Sequence, residues 1–215
     1  MGKFMPYFHL NKMAYKNPTE EKILKAAQEV FQNKGFTGAR MQEIADKAGI
    51  NKGLLHYYFT SKETLFKQVF AIALKKMLGK LNEVLEKDVD LYTKIRLIID
   101  NYIFILSKNR FIPNFIFQEI NRDPEYFNKI YQFKNNIQSI KKFEEEIKAE
   151  VKKGNIIDIP PKQLIINIIS MSIFPFMAKP MAKTIFDISD KEFNALIEER
   201  RKLVAEFTIQ AIKIK

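Results

Sequence analysis

The chain has no cysteine and only two histidines, His9 and His56. The missing thiols exclude a disulfide framework, a thiolate metal site and a cysteine nucleophile, and two isolated histidines do not make a His-rich metal site. Glycine (7) and proline (8) are too scarce for the turns of an all-β protein. A membrane-length apolar run is also missing. The longest uncharged stretch, Gln163 to Ala178, covers 16 residues and includes Asn167, Ser170, Ser172 and Pro175, short of the ~20 apolar residues that cross a bilayer. Residues 1–16 lack a continuous apolar segment and a small-residue cleavage site, so they do not read as a signal peptide. They are expected to be an N-terminal tail, with Met5 and Met13 as alternative starts, and the expected location is the cytoplasm. No GxSxG, HExxH, P-loop or GxGxxG occurs; neither catalysis nor a cofactor nor a metal is expected.

What is present is apolar mass and positive charge. Apolar residues make up 47% of the 215 positions and include nineteen Phe, enough for a sizeable core. The length suits a small module joined to a larger body. Lys and Arg number 36 against 25 acidic residues, net +11, a balance that fits a polyanionic partner. Residues 1–70 carry 11 basic and 6 acidic side chains (net +5), against 25 and 19 (net +6) in the twice-longer remainder. The smaller N-terminal part is the more basic per residue.

Helical spacing runs through the chain from Asn17. Asn17, Pro18 and Glu20 read as N-cap, N1 and N3 of a first helix with Ile23, Ala27, Val30 and Phe31 on one face, stopped by Gly35. A short second helix (42–48) carries Ile44, Ala45 and Ala48 inward and ends at Gly49. A third (52–58) follows, burying Leu55 and Phe59. Thr60 and Glu63 form a capping box that opens a helix of about 25 residues reaching Glu86. Further helices are expected at 91–107, at 113–121, from Asp123 and Pro124 to Gly154, from Pro160 and Pro161, and from Ser189 or Asp190. The fold class is all-α with about nine helices: a tail (1–16), a helix-turn-helix module (17–62) and a helical-bundle body for regulation and dimerisation (63–215).

The stretch from Gly35 to Phe66, GFTGARMQEIADKAGINKGLLHYYFTSKETLF, is the informative one. A short helix 42–48 would buttress helix 52–58, leaving the latter free to enter a DNA major groove. The segment resembles the DNA-binding signature of the TetR family, a helix ending in FxxxGF followed by IAxxAGIxKGxLxxYFxSKExLF, over about 50 residues from Ile23 to Phe70. The resemblance implies a homodimeric transcription regulator on a palindromic operator, released by a small-molecule effector. It further implies that Asn51, Lys52 and Gly53 open the recognition helix against phosphates and base edges, that Leu54 faces the groove, that His56 and Tyr57 touch phosphates or bases, and that Lys62 clamps a phosphate. Gln42 is a further candidate. Ala39 and Arg40 stand where many relatives carry a hydroxyl, so Arg40 would replace that contact by charge. Where many have Tyr, this chain has His56. Tyr58 is expected to pack rather than to contact DNA.

In the body, large apolar residues at helical spacing are chiefly core. Pro175 inside an apolar helix should kink it, and bundles build cavities beside such irregularities. Phe104, Phe115, Gln118, Glu119, Phe133, Asn167, Phe174 and Met177 are the candidate ligand-pocket residues. For the dimer, the family pairs its last two long helices with their twofold mates. Here those helices offer Leu164, Ile165, Ile168 and Ile169, and Phe193, Ile197, Val204, Phe207 and Ala211. Two rival readings remain at this point. One is a ligand-independent architectural or protein-controlled DNA-binding regulator. The other is a peripheral membrane protein using basic amphipathic helices, which would leave the helix-turn-helix unexplained.

Overall fold

A computed structural model describes residues 17–122, 125 and 134–214. Ten helices occur among these residues: α1 (Pro18–Gly38), α2 (Met41–Ala48), α3 (Lys52–Tyr58), α4 (Lys62–Leu85), α5 (Leu91–Lys108), α6 (Phe111–Arg122), α7 (Lys134–Lys152), α8 (Pro161–Met177), α9 (Lys179–Phe186) and α10 (Asp190–Ile212). No strand occurs among them, only an isolated antiparallel bridge between Ile156 and Lys213. The chain divides into two compact units, and the division falls inside α4, between Ile72 and Ala73.

In the first unit the sequence signals act locally. The Asn17 side chain accepts the Glu20 N–H at 2.9 Å, and Pro18 takes the first helical position, where its missing N–H costs nothing. Gly35 breaks the regular helix at φ +66°, a left-handed value that glycine adopts without strain, and one further turn runs to Gly38. Ser61 caps α4, not Thr60: the Thr64 N–H donates to Ser61 Oγ at 3.1 Å, which shifts the expected cap by one residue. Phe31 and Phe66 meet edge to face at 4.9 Å, and Phe36 and Phe66 at 5.0 Å. Phe31 and Phe66 are buried with Ile23, Ala27, Leu65 and Phe70, whereas Phe36 stays 40% exposed at the edge of this core.

In the second unit α5 is the central helix. It packs on α10 and α8, and Ile95, Ile98, Ile99 and Ile103 are buried. Arg201 of α10 bridges to Asp100 of α5 at 2.7 Å. Helix α10 opens with a capping box between Ser189 and Glu192, so Ser189 is the cap and Asp190 the first helical residue of the two starts the sequence left open. This packing places five of the nine residues expected at the dimer interface in the core of the single chain. Leu164, Ile168, Phe193, Ile197 and Val204 are each less than 5% exposed within the single chain, because the stripes read as uncovered are the ones that α8 and α10 turn to their own protomer's core. Ile165 and Ile169 are half-buried, whereas Ala211 and Phe207 lie outside, with Leu203 and Ile166. Helix α9 was not foreseen.

Pro175 does not break α8. The helix runs on to Met177, and a 74° bend between α8 and α9 follows. A proline at 175 removes the N–H that would bond the carbonyl four residues back, that of Met171. Arg200 of α10 supplies the missing donor, its Nε reaching Met171 O at 3.0 Å. Replacing Arg200 by Met is therefore expected to destabilise the fold by about 1–3 kcal/mol, the cost of orphaning a partly buried carbonyl. In a Pro175→Ala background the loss should shrink, since alanine restores the N–H. Urea denaturation of the four proteins checks this, and an equal Arg200→Met cost in both backgrounds would reject it.

Candidate nucleic-acid interface

Helices α2 and α3 are joined by a three-residue turn. Gly49 sits at φ +70°, ψ 34° and its N–H, with that of Ile50, closes the end of α2 onto the Asp46 and Ala45 carbonyls at 3.1 and 3.0 Å. Asn51 then starts α3, its Oδ1 accepting the Leu54 N–H at 2.7 Å. Gly53 lets this cap form: a Cβ there would stand 3.3 Å from Asn51 Oδ1. Ile44, Ala45 and Leu55 are fully buried and Phe59 nearly so. The pair is thus held by one small apolar seam, and the opposite face of α3 remains open.

That open face carries Lys52, Gly53, Leu54, His56 and Tyr57, all exposed. Tyr57 is 81% exposed, an unusual position for a large ring unless something is to cover it. Tyr58 packs, as expected: its hydroxyl donates to Asn17 Oδ1 at 3.3 Å, tying the end of α3 to the start of α1, and its ring meets Tyr57 edge to face. Leu54 is at the margin of exposure (37%).

Three of the expected contact residues already have work inside the module. Asn51 spends its carbonyl oxygen on the cap and keeps only its amide donors. Gln42 donates to Asp46 Oδ1 at 2.7 Å. Lys62 differs most from its expected place as a free clamp at the start of α4. Its ammonium donates to the carbonyl of Ala39 at 3.0 Å and reaches that of Thr37 at 3.5 Å, and it lies 4.7 Å over the Phe36 ring. It pins the connection between α1 and α2, leaving one N–H direction unspent.

Arg40 is exposed at the N-cap position of α2 without a side-chain cap bond. With Lys34, Gly38, Gln42, Glu43 and Asp46 it lines an open cleft of about 490 Å³. The sequence reading missed Lys34, which neutralises Glu43 at 2.8 Å. This ion pair offsets the Glu43 charge, which would otherwise repel a phosphate backbone; the neutral Gln42 amide hydrogen-bonds the Asp46 carboxylate but leaves its charge in place. The spacing that could have shown the ion pair spans two helices and is not periodic.

Five of the eight candidate pocket residues of the body are described with their side chains. Phe104, Asn167 and Phe174 are exposed, and Phe115 and Met177 are half-buried. The Arg201 guanidinium lies 5.4 Å over the Phe104 ring. The side chains of Gln118 and Glu119, and the whole of Phe133, lie outside the described residues. Among the described residues no cluster of three or more His, Cys, Asp or Glu could hold a metal ion.

Residues 23–69 match the model of the bacterial regulatory proteins of the tetR family. The match is confined to the N-terminal helices, α1 to α4, and does not reach the rest of the chain. The chain is 32% identical over 114 residues to the HTH-type transcriptional regulator YvdT of Bacillus subtilis (strain 168), an alignment covering 52% of this chain and 59% of YvdT, so it spans little more than half of that relative. The likeness of fold extends further. A transcriptional regulator of the TetR/AcrR family from Thermobifida fusca superposes with a TM-score of 0.60 at 17% identity, over 88% of this chain and 97% of that one. FadR from Bacillus subtilis, solved in complex with stearoyl-CoA, superposes with a TM-score of 0.56 at 15% identity, over 86% and 97%. At such identities these two structures speak for the fold alone.

Proposed function

We propose that this protein is a transcription regulator of the TetR family that binds a palindromic DNA operator as a homodimer and is released by a small-molecule effector. The observation that carries the DNA reading is the division of α3. Leu55 is sealed into the module, while Lys52, His56 and Tyr57 are presented outward with no part in the core. A buttressed helix with a basic, aromatic outer face is what a major groove accepts. Catalysis plays no part in this reading. Release follows if the effector binds better to the conformer whose two recognition helices are wrongly spaced for the operator. Support for an effector comes from FadR, which shares the fold and was solved with stearoyl-CoA. Fluorescence anisotropy with labelled DNA from upstream of the gene tests the reading. Binding should be saturable, should fall steeply with salt, and should be lost on adding an effector found by thermal-shift screening that includes acyl-CoA esters. Affinity equal to that for random DNA would refute a specific operator.

The outward residues of α8 and α10 supply the surface for the second copy. Phe207→Glu is expected to yield a folded monomer that no longer holds the operator, because Phe207 is 68% exposed in the single chain. Ile168→Glu, by contrast, places a charge in the core and should unfold the body. Light scattering and circular dichroism on both variants check the pair. A folded, monomeric Ile168→Glu protein would show that the stripes have been exchanged.

A further inference from the structure

Helix α9 contributes nothing to the core of its own chain. None of its eight residues is buried, although it carries Met181, Ile185 and Phe186, each more than half exposed. It is held by charge instead. Lys179 and Lys183 both pair with Asp190 at the start of α10, and the Lys179 ammonium lies 5.4 Å over the Phe193 ring. Met181 and Ile185, at i and i+4, therefore share the face turned away from those lysines. Among the described residues nothing buries this apolar edge, which is left to offer a partner.

We infer that α9 is a second-copy docking element, which extends the self-association surface of α8 and α10; this rests on the homodimer reading above. The area argument favours it. At about two-fifths to two-thirds exposure each large side chain offers on the order of 100 Å². Ile166, Phe174, Leu196, Leu203 and Phe207 on α8 and α10 thus supply roughly 500 Å². A lasting homodimer buries upward of about 2,000 Å² in total at roughly 65% apolar, so each copy must supply at least about 650 Å² of apolar surface. Ile165, Ile169 and Ala211 add smaller areas, and the three large side chains of α9 add roughly 300 Å² more, which carries the combined surface past that figure. A nucleic acid or an anionic peptide is a poor occupant, because both lysines of the helix are already paired with Asp190. Lipid is the competing occupant: no single described helix is long and apolar enough to cross a membrane, but α8 and α9 as a bent pair meet the criterion of length and composition.

The test uses the full chain carrying Met181→Glu and Ile185→Glu together, beside Phe207→Glu. Since α9 buries nothing, helicity by circular dichroism should stay at the wild-type value in the α9 variant. Its dimer dissociation constant, from sedimentation over a dilution series, is expected to rise at least tenfold. If Phe207→Glu dissociates the dimer while the α9 variant keeps the wild-type constant, the inference is overturned and the homodimer reading stands. If the wild-type chain is itself monomeric at micromolar concentration, both fall. An unchanged dimer constant together with Ile185-dependent co-sedimentation on phosphatidylglycerol–phosphatidylethanolamine vesicles overturns the inference in favour of lipid.

Discussion

Replacing Glu146 by Gln is expected to destabilise the body more than replacing its partner, Lys94, by Met. Lys94 lies among the apolar residues of α5, with its side chain 1% exposed. Its ammonium donates to both Glu146 carboxylate oxygens on α7, at 2.5 and 2.8 Å, and to the carbonyl of Leu85, the last residue of α4, at 3.2 Å. Removing one partner of a buried pair leaves the other charge uncompensated, at a cost of about 3–5 kcal/mol. The two partners are not equally placed, however. Glu146 is 43% exposed and can turn to water when Lys94 is gone, so Lys94→Met should cost only about 1–3 kcal/mol, mostly for the Leu85 carbonyl left without its donor. Lys94 has no such escape, and Glu146→Gln should fall in the upper range. Urea denaturation of the two variants decides, and a larger loss for Lys94→Met would overturn the assignment of the buried charge. The contact also fixes the far end of α4 through the Leu85 carbonyl, so Glu146→Gln should loosen the end of that helix.

The pattern of what the sequence disclosed follows the range of the forces involved. The DNA-binding unit was legible because its determinants are neighbours in the chain: Asn17, Pro18 and Glu20 at one cap, Gly49 and Asn51 at the turn, Leu55 and Phe59 one helical turn apart. The contacts that escaped notice span longer separations. Lys62 finds its carbonyls 23 and 25 residues back, and Lys94 finds Glu146 52 residues on. A lysine in an apolar stripe looks solvated until another helix covers it. Which side of α8 faces its own core was hidden for a related reason. Helix α8 has apolar residues around most of its circumference, Leu164, Ile165, Ile166, Ile168 and Ile169 among them, so a 3.6-residue period does not say which side α5 occupies. Helix α9 escaped because it is short, and its Pro180 reads as a breaker although it sits in the first turn, where proline is tolerated.

Substitution of Lys52 and of Lys62 should separate charge that acts on DNA from charge that acts within the module. Lys52 is exposed at the first position of α3, where a lysine gains nothing from the helix dipole, so a phosphate accounts for its placement better than folding does. Lys52→Ala is expected to leave the melting temperature within a degree or so. It should weaken specific and random DNA alike and reduce the salt dependence by about 0.9 units for each phosphate lost, hence by about two across a symmetric dimer. Lys62→Ala should behave otherwise. Its ammonium holds the Thr37 and Ala39 carbonyls and the Phe36 ring, so its loss frees the segment that carries Arg40. The melting temperature should fall and affinity should drop through misplacement, with a smaller change in salt slope than Lys52→Ala produces. Leu54→Ala completes the series: an uncharged side chain at the groove should leave the slope alone and relax base preference at one position per half-site, by at most about 1–3 kcal/mol per contact. Should Lys62→Ala keep full thermal stability and flatten the slope as much as Lys52→Ala, its bonds to the two carbonyls would be exchanged for phosphate on the operator, and the segment from Phe36 to Arg40 would need another anchor.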